Sequence, residues 1–487
     1  VAFEGNTVYT SEVLTKFMDL QPGQVLNSVY VGQKVQGINA AYARDGYMLA
    51  HVDGIRVDDQ GVLHVHIVEG IVEDIVPAGN KKTRDKVITR EFVQKKGKPF
   101  NKFLVRRSVE RVYNLGFFDD VNVRMLPGDQ DPNNVIIEID VLEHKTGTIT
   151  LGAGYSKSDG LMGIIEFGED NFRGTGDKFK VHWEIGGKKK YKNYQISYLK
   201  PWIDSKGTSL GFSFFNREDE YTDYNEDGNE VAEYNKKSRG FNISFGRQTG
   251  EYTRDYLTLE SRKDSYKWDE DDSSGFRYDK NAGKGKNWDN GSYNFANDKY
   301  VDKNFGRINS ITWQKVYDSR DNIYEPTRGR RISYTAQWAG HGLGGDFDFY
   351  KFTAEARMYK KLGAKNVLAF RARGGFIQGD APYSQLFTLG GADSLRGYED
   401  DQFRGKYMYN ATLEFRFPIV KKVSGVLFTD IGDAWDAPNV SWYNSKKTFN
   451  YGVGAGVRIT TPIGPVKLDY GVGKHKNKFH FSFGTQF

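Results

Sequence analysis

The stretch GGADSLRGYEDD, residues 390–401, sets one arginine, Arg396, between a leucine and a glycine inside a long polar segment. A guanidinium there can fork onto a carboxylate or phosphate. It would grip an anionic substrate, bind an acidic partner or hold the chain's own shape. Competing chemistry is scarce. There is no cysteine, which removes thiolate metal sites, thiol nucleophiles and disulfides. The eight histidines show no ligand spacing, and the two in HVHI read as the surface of a strand, so no metal is expected. No Ser-His-Asp constellation can be nominated, and no cofactor is implied. The charge-dense DSRDNIYEPTRG (318–329) reads as turn chemistry. A net charge of +6 spread over 487 residues, with basic and acidic groups intermixed, argues against nucleic acid.

What positions Arg396 is a set of strands. Aromatics reach 15% and glycines number 55, while hydrophobic residues are only 38%, a balance that favours many short strands and turns. From Lys145 onward the alternation has period two. Near 176–186, Phe179, Val181, Trp183 and Ile185 face away from Lys180, His182 and Glu184. Near 329–339, Ile332, Tyr334, Ala336 and Trp338 oppose Ser333, Thr335 and Gln337. Near 405–417, Tyr409, Ala411, Leu413, Phe415 and Phe417 oppose Asn410, Thr412, Glu414 and Arg416. Charges recur on one face and aromatics on the other, as in a barrel with lipid outside and a wet lumen. Sixteen such strands are predicted between 147 and 487. Their connections alternate between short ones such as NFRGTG, QTGE and TTPIGP and a series that includes 218–236, 263–305, 376–404 and 432–449. No apolar stretch approaches the eighteen residues of a transmembrane helix. The same alternation turns Phe428, Asp430 and Gly432 of LFTDIGDAW toward the lumen.

The first 145 residues are a repeat. Gly5-Asn6 recurs as Gly79-Asn80, Gly23 as Gly97 and Asn27 as Asn101, each 74 residues later. Each copy reads as strand, helix, helix, strand, strand, with Val105, Val109, Val112 and Leu115 spaced for the longer helix. The expected division is two α+β modules, 1–70 and 71–145, followed by an all-β barrel over 146–487. Exposed sheet edges of such modules suit extended peptides. VAFEGN already reads as strand, so upstream sequence is expected to be missing.

These words resemble the BamA-type outer-membrane assembly superfamily, in which periplasmic POTRA modules precede a sixteen-stranded transmembrane barrel. GN and GFF words mark the modules. DSLRGYEDD resembles the family's arginine-glycine-aromatic loop motif, with Tyr398 where phenylalanine is commoner. LFTDIGDAW resembles its Phe-x-Asp-x-Gly motif, here Phe428, Asp430 and Gly432. TPIGPVKLDYG and the ending FHFSFGTQF are also similar. The resemblance implies a bacterial outer-membrane insertase without cofactor or catalytic residues. Its clients would be unfolded β-barrel proteins, and accessory periplasmic or lipoprotein subunits are implied. It further implies a latch in which loop 376–404 folds into the lumen. Arg396 would meet Asp430, or alternatively Glu414, while Gly397 turns the chain and Tyr398 packs on the wall. A seam is implied between the first strand (Thr150, Gly152, Gly154) and the last (Ser482, Gly484, Phe487). The alternative is a two-partner-secretion type of barrel exporting a passenger through its lumen. The segment 263–305 matches nothing interpretable.

Overall fold

The computed structural model describes the chain except residues 157–159, 187–190, 225–227, 229, 268–304, 323–324, 438–445, 462–463, 475 and 484–487. Two compact units result, one of Val1–Thr148 with Gly168–Phe179 and one of Ile149–Phe167 with Lys180–Phe487.

The first unit contains the repeat. The first copy runs β1 (Ala2–Glu4), α1 (Ser11–Met18), α2 (Ser28–Arg44), β2 (His51–Val57) and β3 (Leu63–Val68). The second runs β4 (Val72–Ala78), α3 (Asp85–Thr89), α4 (Lys102–Tyr113), β5 (Phe118–Pro127) and β6 (Val135–Glu143). Each sheet places the last strand in the middle, in the orders β1-β3-β2 and β4-β6-β5. The 74-residue offset has a structural cause. Asn27 and Asn101 each start the longer helix, their Oδ1 accepting two backbone N–H groups at 2.9 and 3.3 Å. Gly5 and Gly79 both have φ of +82°, and a Cβ on either would strike the carbonyl of the central strand, Ile67 or Val141. Glu69 accepts from Thr7 N and Val8 N at 2.8 and 2.9 Å. Its counterpart Glu143 accepts from the backbone N–H groups of Lys81, Lys82 and Thr83. Each core is apolar: Leu14, Ile38, Tyr42 and Ile67 in the first copy, Ile88, Val112, Ile137 and Ile139 in the second. Each such side chain contributes about 1.5–3 kcal/mol on burial. Val105 and Val112 are buried, with Val109 and Leu115 partly buried beside them.

The second region is one antiparallel sheet of sixteen strands in chain order, from Gly147–Ser156 to Asn477–Phe483, counted here as strands 1 to 16. Its polarity is reversed relative to a soluble sheet. On strand 12 (Tyr407–Val420) Leu413 is exposed, whereas Asn410, Thr412, Glu414 and Arg416 are buried. Tyr334 and Trp338 on strand 9 (Gly329–Ala339) are exposed while Ser333 is buried. Exposed aromatics outside and buried polar groups inside are the arrangement of a barrel wall in lipid.

Four connections differ from expectation. Most of 218–236 is strand: strand 5 (Ser209–Tyr224) pairs with strand 6 (Glu230–Gln248) to the tip, with Glu218 opposite Lys237. Opposite charges on facing positions prolong the ladder, the Lys237 Nζ lying 3.6 Å from the Glu218 carboxylate. Likewise strand 11 (Asn366–Gly379) and strand 13 (Val423–Trp435) run into segments read as loop. Segment 263–305 is strand up to Lys267, and 268–304 lie outside the described residues.

Candidate functional site

The segment after strand 11 folds inward as a small core of its own. A short hairpin, Phe387–Leu389 with Phe403–Gly405, brings Leu386, Phe387, Leu389, Leu395, Tyr398 and Phe403 against Phe349, Ile377, Met408 and Ala434 of the sheet. This apolar packing holds the segment 390–402, and with it Arg396, on the inner face.

There the guanidinium forks onto Asp430, Nε donating to Oδ2 at 2.7 Å and one terminal nitrogen to Oδ1 at 2.9 Å. The other terminal nitrogen donates to Glu414 Oε1 at 2.7 Å and to Asp469 Oδ2 at 3.4 Å. The backbone N–H of Arg396 also donates to Asp430, at 3.1 Å. Asp430 and Glu414 are therefore joint partners, where the sequence left them as alternatives. Arg416 brings two nitrogens to Glu414 Oε2, at 2.9 and 2.8 Å, and Arg458 forks onto Asp469 at 2.5 and 3.0 Å. Side chains of Arg396, Glu414, Asp430 and Asp469 are 4%, 3%, 1% and 2% exposed. Burial of six charges is tolerable because three arginines balance three carboxylates and each carboxylate accepts charged hydrogen bonds. Phe428 lies beneath, the Arg396 Cζ 3.4 Å from its ring centre.

Register explains who meets whom. Asp430 on strand 13 is paired across to Thr412 on one side and Gly452 on the other. Asp469 on strand 15 (Gly464–Val472) is opposite Gly456 and His480. Glycines on strands 14 (Asn450–Thr461) and 15 form the floor on which the loop rests. A Cβ on Gly452 would overlap the Arg396 carbonyl, and one on Gly471 would stand 2.5 Å from Gly397 N. Gly397 has φ of +98°, and a Cβ there would stand 2.6 Å from Gly473 N. Gly432 is equally crowded, its Cβ position 2.8 Å from the Tyr409 carbonyl. Tyr398 is buried, donating from its hydroxyl to the Tyr451 carbonyl and accepting from Lys474 N, both at 3.0 Å.

The sequence reading gave no site role to Asp469, Arg458, Arg416, His480 or the glycine floor. A signal existed: glycines at 452, 454 and 456 share one face with Arg458, as Gly471 does with Asp469 and Lys467.

At the other end of the sheet, Thr150 and Gly152 lie on strand 1 (Gly147–Ser156) and are exposed; Gly154 lies on the same strand. Ser482 lies on strand 16 (Asn477–Phe483), where its buried hydroxyl has no hydrogen-bond partner among the described residues. Gly484 and Phe487 lie outside the described residues. Among the described residues no backbone pairing joins strand 1 to strand 16. In 318–329, Arg320 binds Asp318, and Asp321 accepts from Thr327 N and Arg328 N, which is turn chemistry. Among the described residues no cluster has the make-up of a metal site.

A model described as an Omp85 superfamily domain matches residues 171–487. The chain belongs to the Omp85 superfamily. A POTRA model, described as a surface antigen variable number repeat, matches residues 1–70 and 71–144 of this Omp85 chain. All of the chain aligns at 25% identity with the outer membrane protein assembly factor BamA of Nitratidesulfovibrio vulgaris and with that of Neisseria meningitidis serogroup B. It spans 61% and 66% of those proteins, a little under two thirds. Outer envelope protein 80, chloroplastic, of Oryza sativa is 24% identical over 99% of the chain and 72% of its own length. Among solved structures, BamA from Haemophilus ducreyi lacking POTRA domains 1-3 is similar with a TM-score of 0.66 at 20% identity, covering 100% of this chain and 99% of that one. CdiB from Escherichia coli reaches 0.65 at 15% identity, covering 99% and 87%. Both likenesses concern the fold of this Omp85 protein, two POTRA modules followed by a sixteen-stranded antiparallel sheet.

Proposed function

We propose that this Omp85 chain folds β-barrel proteins and inserts them into the bacterial outer membrane, with its POTRA modules in the periplasm. The observation that carries this reading is the pair of unjoined sheet ends: strands 1 and 16 share no backbone pairing among the described residues, although strands 2 to 15 each have two neighbours. An unpaired edge in lipid is costly, because backbone groups there find no water. An incoming client strand satisfies that edge and is itself satisfied. The driving force is the client's own folding. No bond is made or broken, so the protein needs no cofactor and is not an enzyme. Unfolded clients would first pair with the edges of the modules, and accessory lipoproteins would join in the periplasm.

Arg396 serves as an internal latch in this reading. With Gly397 and Tyr398 it ties the loop to Asp430 and Glu414, over Phe428 and beside Gly432, so that strands 12 to 15 keep their register while the seam moves.

The test is a disulfide across the seam. Cysteines at Thr150 and Ser482, adjusted for register, are introduced into a chain with no native thiol. Oxidation is expected to halt client insertion into liposomes, and reduction to restore it. Undiminished insertion with the seam locked would refute lateral entry. A large, stable single-channel conductance would favour passenger export through the lumen.

A further inference from the structure

Strand 16 is held differently from the rest of the wall. Among the described residues it has one neighbour in the sheet, and seven residue pairs join it to strand 15. Strands 10 (Phe349–Leu362) and 11, by comparison, share fourteen. Its outward side chains, Phe479 and Phe481, are about 60% exposed. Of its inward ones, Lys478 and His480 both reach the Arg396 loop. Gly397 N–H donates to His480 Nε2 at 3.0 Å, and the Lys478 ammonium pairs with Glu399. Neither contact involves a side chain of the arginine cluster. The loop also binds strand 15 through Asp393 and Lys467, Nζ to Oδ1 at 2.7 Å. It binds the following turn through Tyr398 and the backbone of Lys474.

We propose that Gly397–His480 and Glu399–Lys478 form a clasp that controls when the edge strand leaves the wall. The clasp is separable from the Arg396–Asp430–Glu414 latch. It rests on the seam reading for its consequence, though not for its geometry. His480 is buried and accepts from a main-chain N–H, so its Nε2 must carry a lone pair. Among the described residues strand 16 has no second strand to share its load. Releasing the clasp leaves strand 16 with one ladder and a lipid-facing surface. Both allow it to swing without breaking the buried charge network. Lys478 and Glu399 lie at the loop end of the strand, where a change in the loop would first loosen it. His480 therefore acts as a positioning residue.

The test uses the whole protein in liposomes, with nitroxides on cysteines replacing Leu151 and Phe481, both exposed on the outer face. Pulsed electron-spin distances across the seam are compared for the parent, His480→Leu, His480→Gln and Glu399→Gln. His480→Leu removes the acceptor, and Glu399→Gln removes the charge without altering the core. Each is expected to raise the long-distance population about fivefold, the factor one ordinary hydrogen bond is worth. His480→Gln keeps an acceptor and is expected to stay near the parent. Unchanged distances in both His480→Leu and Glu399→Gln would overturn the clasp, as would equal widening in His480→Gln. Should His480→Leu fail to fold, Glu399→Gln alone decides. Client insertion is measured on the same samples: a widened seam with unaltered insertion leaves the clasp standing and removes the seam as the client route.

Discussion

Replacing Arg396 by alanine removes the only side chain seen to donate to Asp430 among the described contacts. It also takes one of three cations from a buried cluster of three carboxylates. Glu414 keeps Arg416, and Asp469 keeps Arg458, but Asp430 is left charged, 1% exposed and without a guanidinium. Removing one partner of a buried pair costs about 3–5 kcal/mol. Asp430→Asn by itself strips the fork of its counter-charge and belongs in the same range. If the two residues acted independently, the double variant would lose about 6–10 kcal/mol. Because each loss is mainly the other group's stranded charge, the double should lose about 4–6 kcal/mol, a coupling of roughly 3 kcal/mol. Arg396→Lys restores the charge without the fork and should recover less than half of the loss. The assay is urea unfolding in liposomes, followed by the mobility shift of the folded barrel on unheated gels. Additive single losses, or a lysine variant as stable as the parent, would refute the paired-fork account. Client insertion at matched protein levels reports whether the latch also matters for function.

Two further outcomes follow from the geometry. Gly452→Val should unseat the loop by driving a side chain into the Arg396 carbonyl, costing at least about 2 kcal/mol. Combined with Arg396→Ala it should add little, and full additivity in the same unfolding assay would contradict a shared seat. In the second module, burial would raise the Glu143 pKa, but the Thr83 side chain and the backbone N–H groups of Lys82, Thr83 and Lys81 together hold it below the usual range. A carboxyl whose folded pKa lies below its unfolded value of about 4.3 stabilises fully above that pH. The contribution is lost as pH falls through the folded value. Amide exchange at Lys81–Thr83 should therefore quicken on acidification below about pH 4, beyond the change in intrinsic rate. In Glu143→Gln it should already be fast at neutral pH, by about 1–2 kcal/mol after allowance for solvent screening. Slow exchange in that variant would show that the turn does not depend on the carboxylate.

Period-two alternation was enough to count the strands and assign their faces, because a pleated chain must place successive side chains on opposite sides and lipid tolerates only apolar ones. That rule turned Asp430 and Glu414 inward without any knowledge of their neighbours. The 74-residue offset likewise exposed the two modules, since helix starts at Asn27 and Asn101 and turns at Gly5 and Gly79 rest on local conformation. Strand ends were less legible: residues 218–224 and 230–236 read as loop, yet they form a ladder because opposite charges face across it. What the linear chain did not contain was lateral register. Whether Arg396 meets Asp430, Glu414 or both depends on how strands 12 to 15 slide past one another. So does whether Gly452 and Gly471 lie beneath the loop and whether His480 comes within reach of Gly397. Each strand's own pattern is satisfied by any even shift of two residues, so only the closing of all the hydrogen-bond ladders around the loop selects the set that touches.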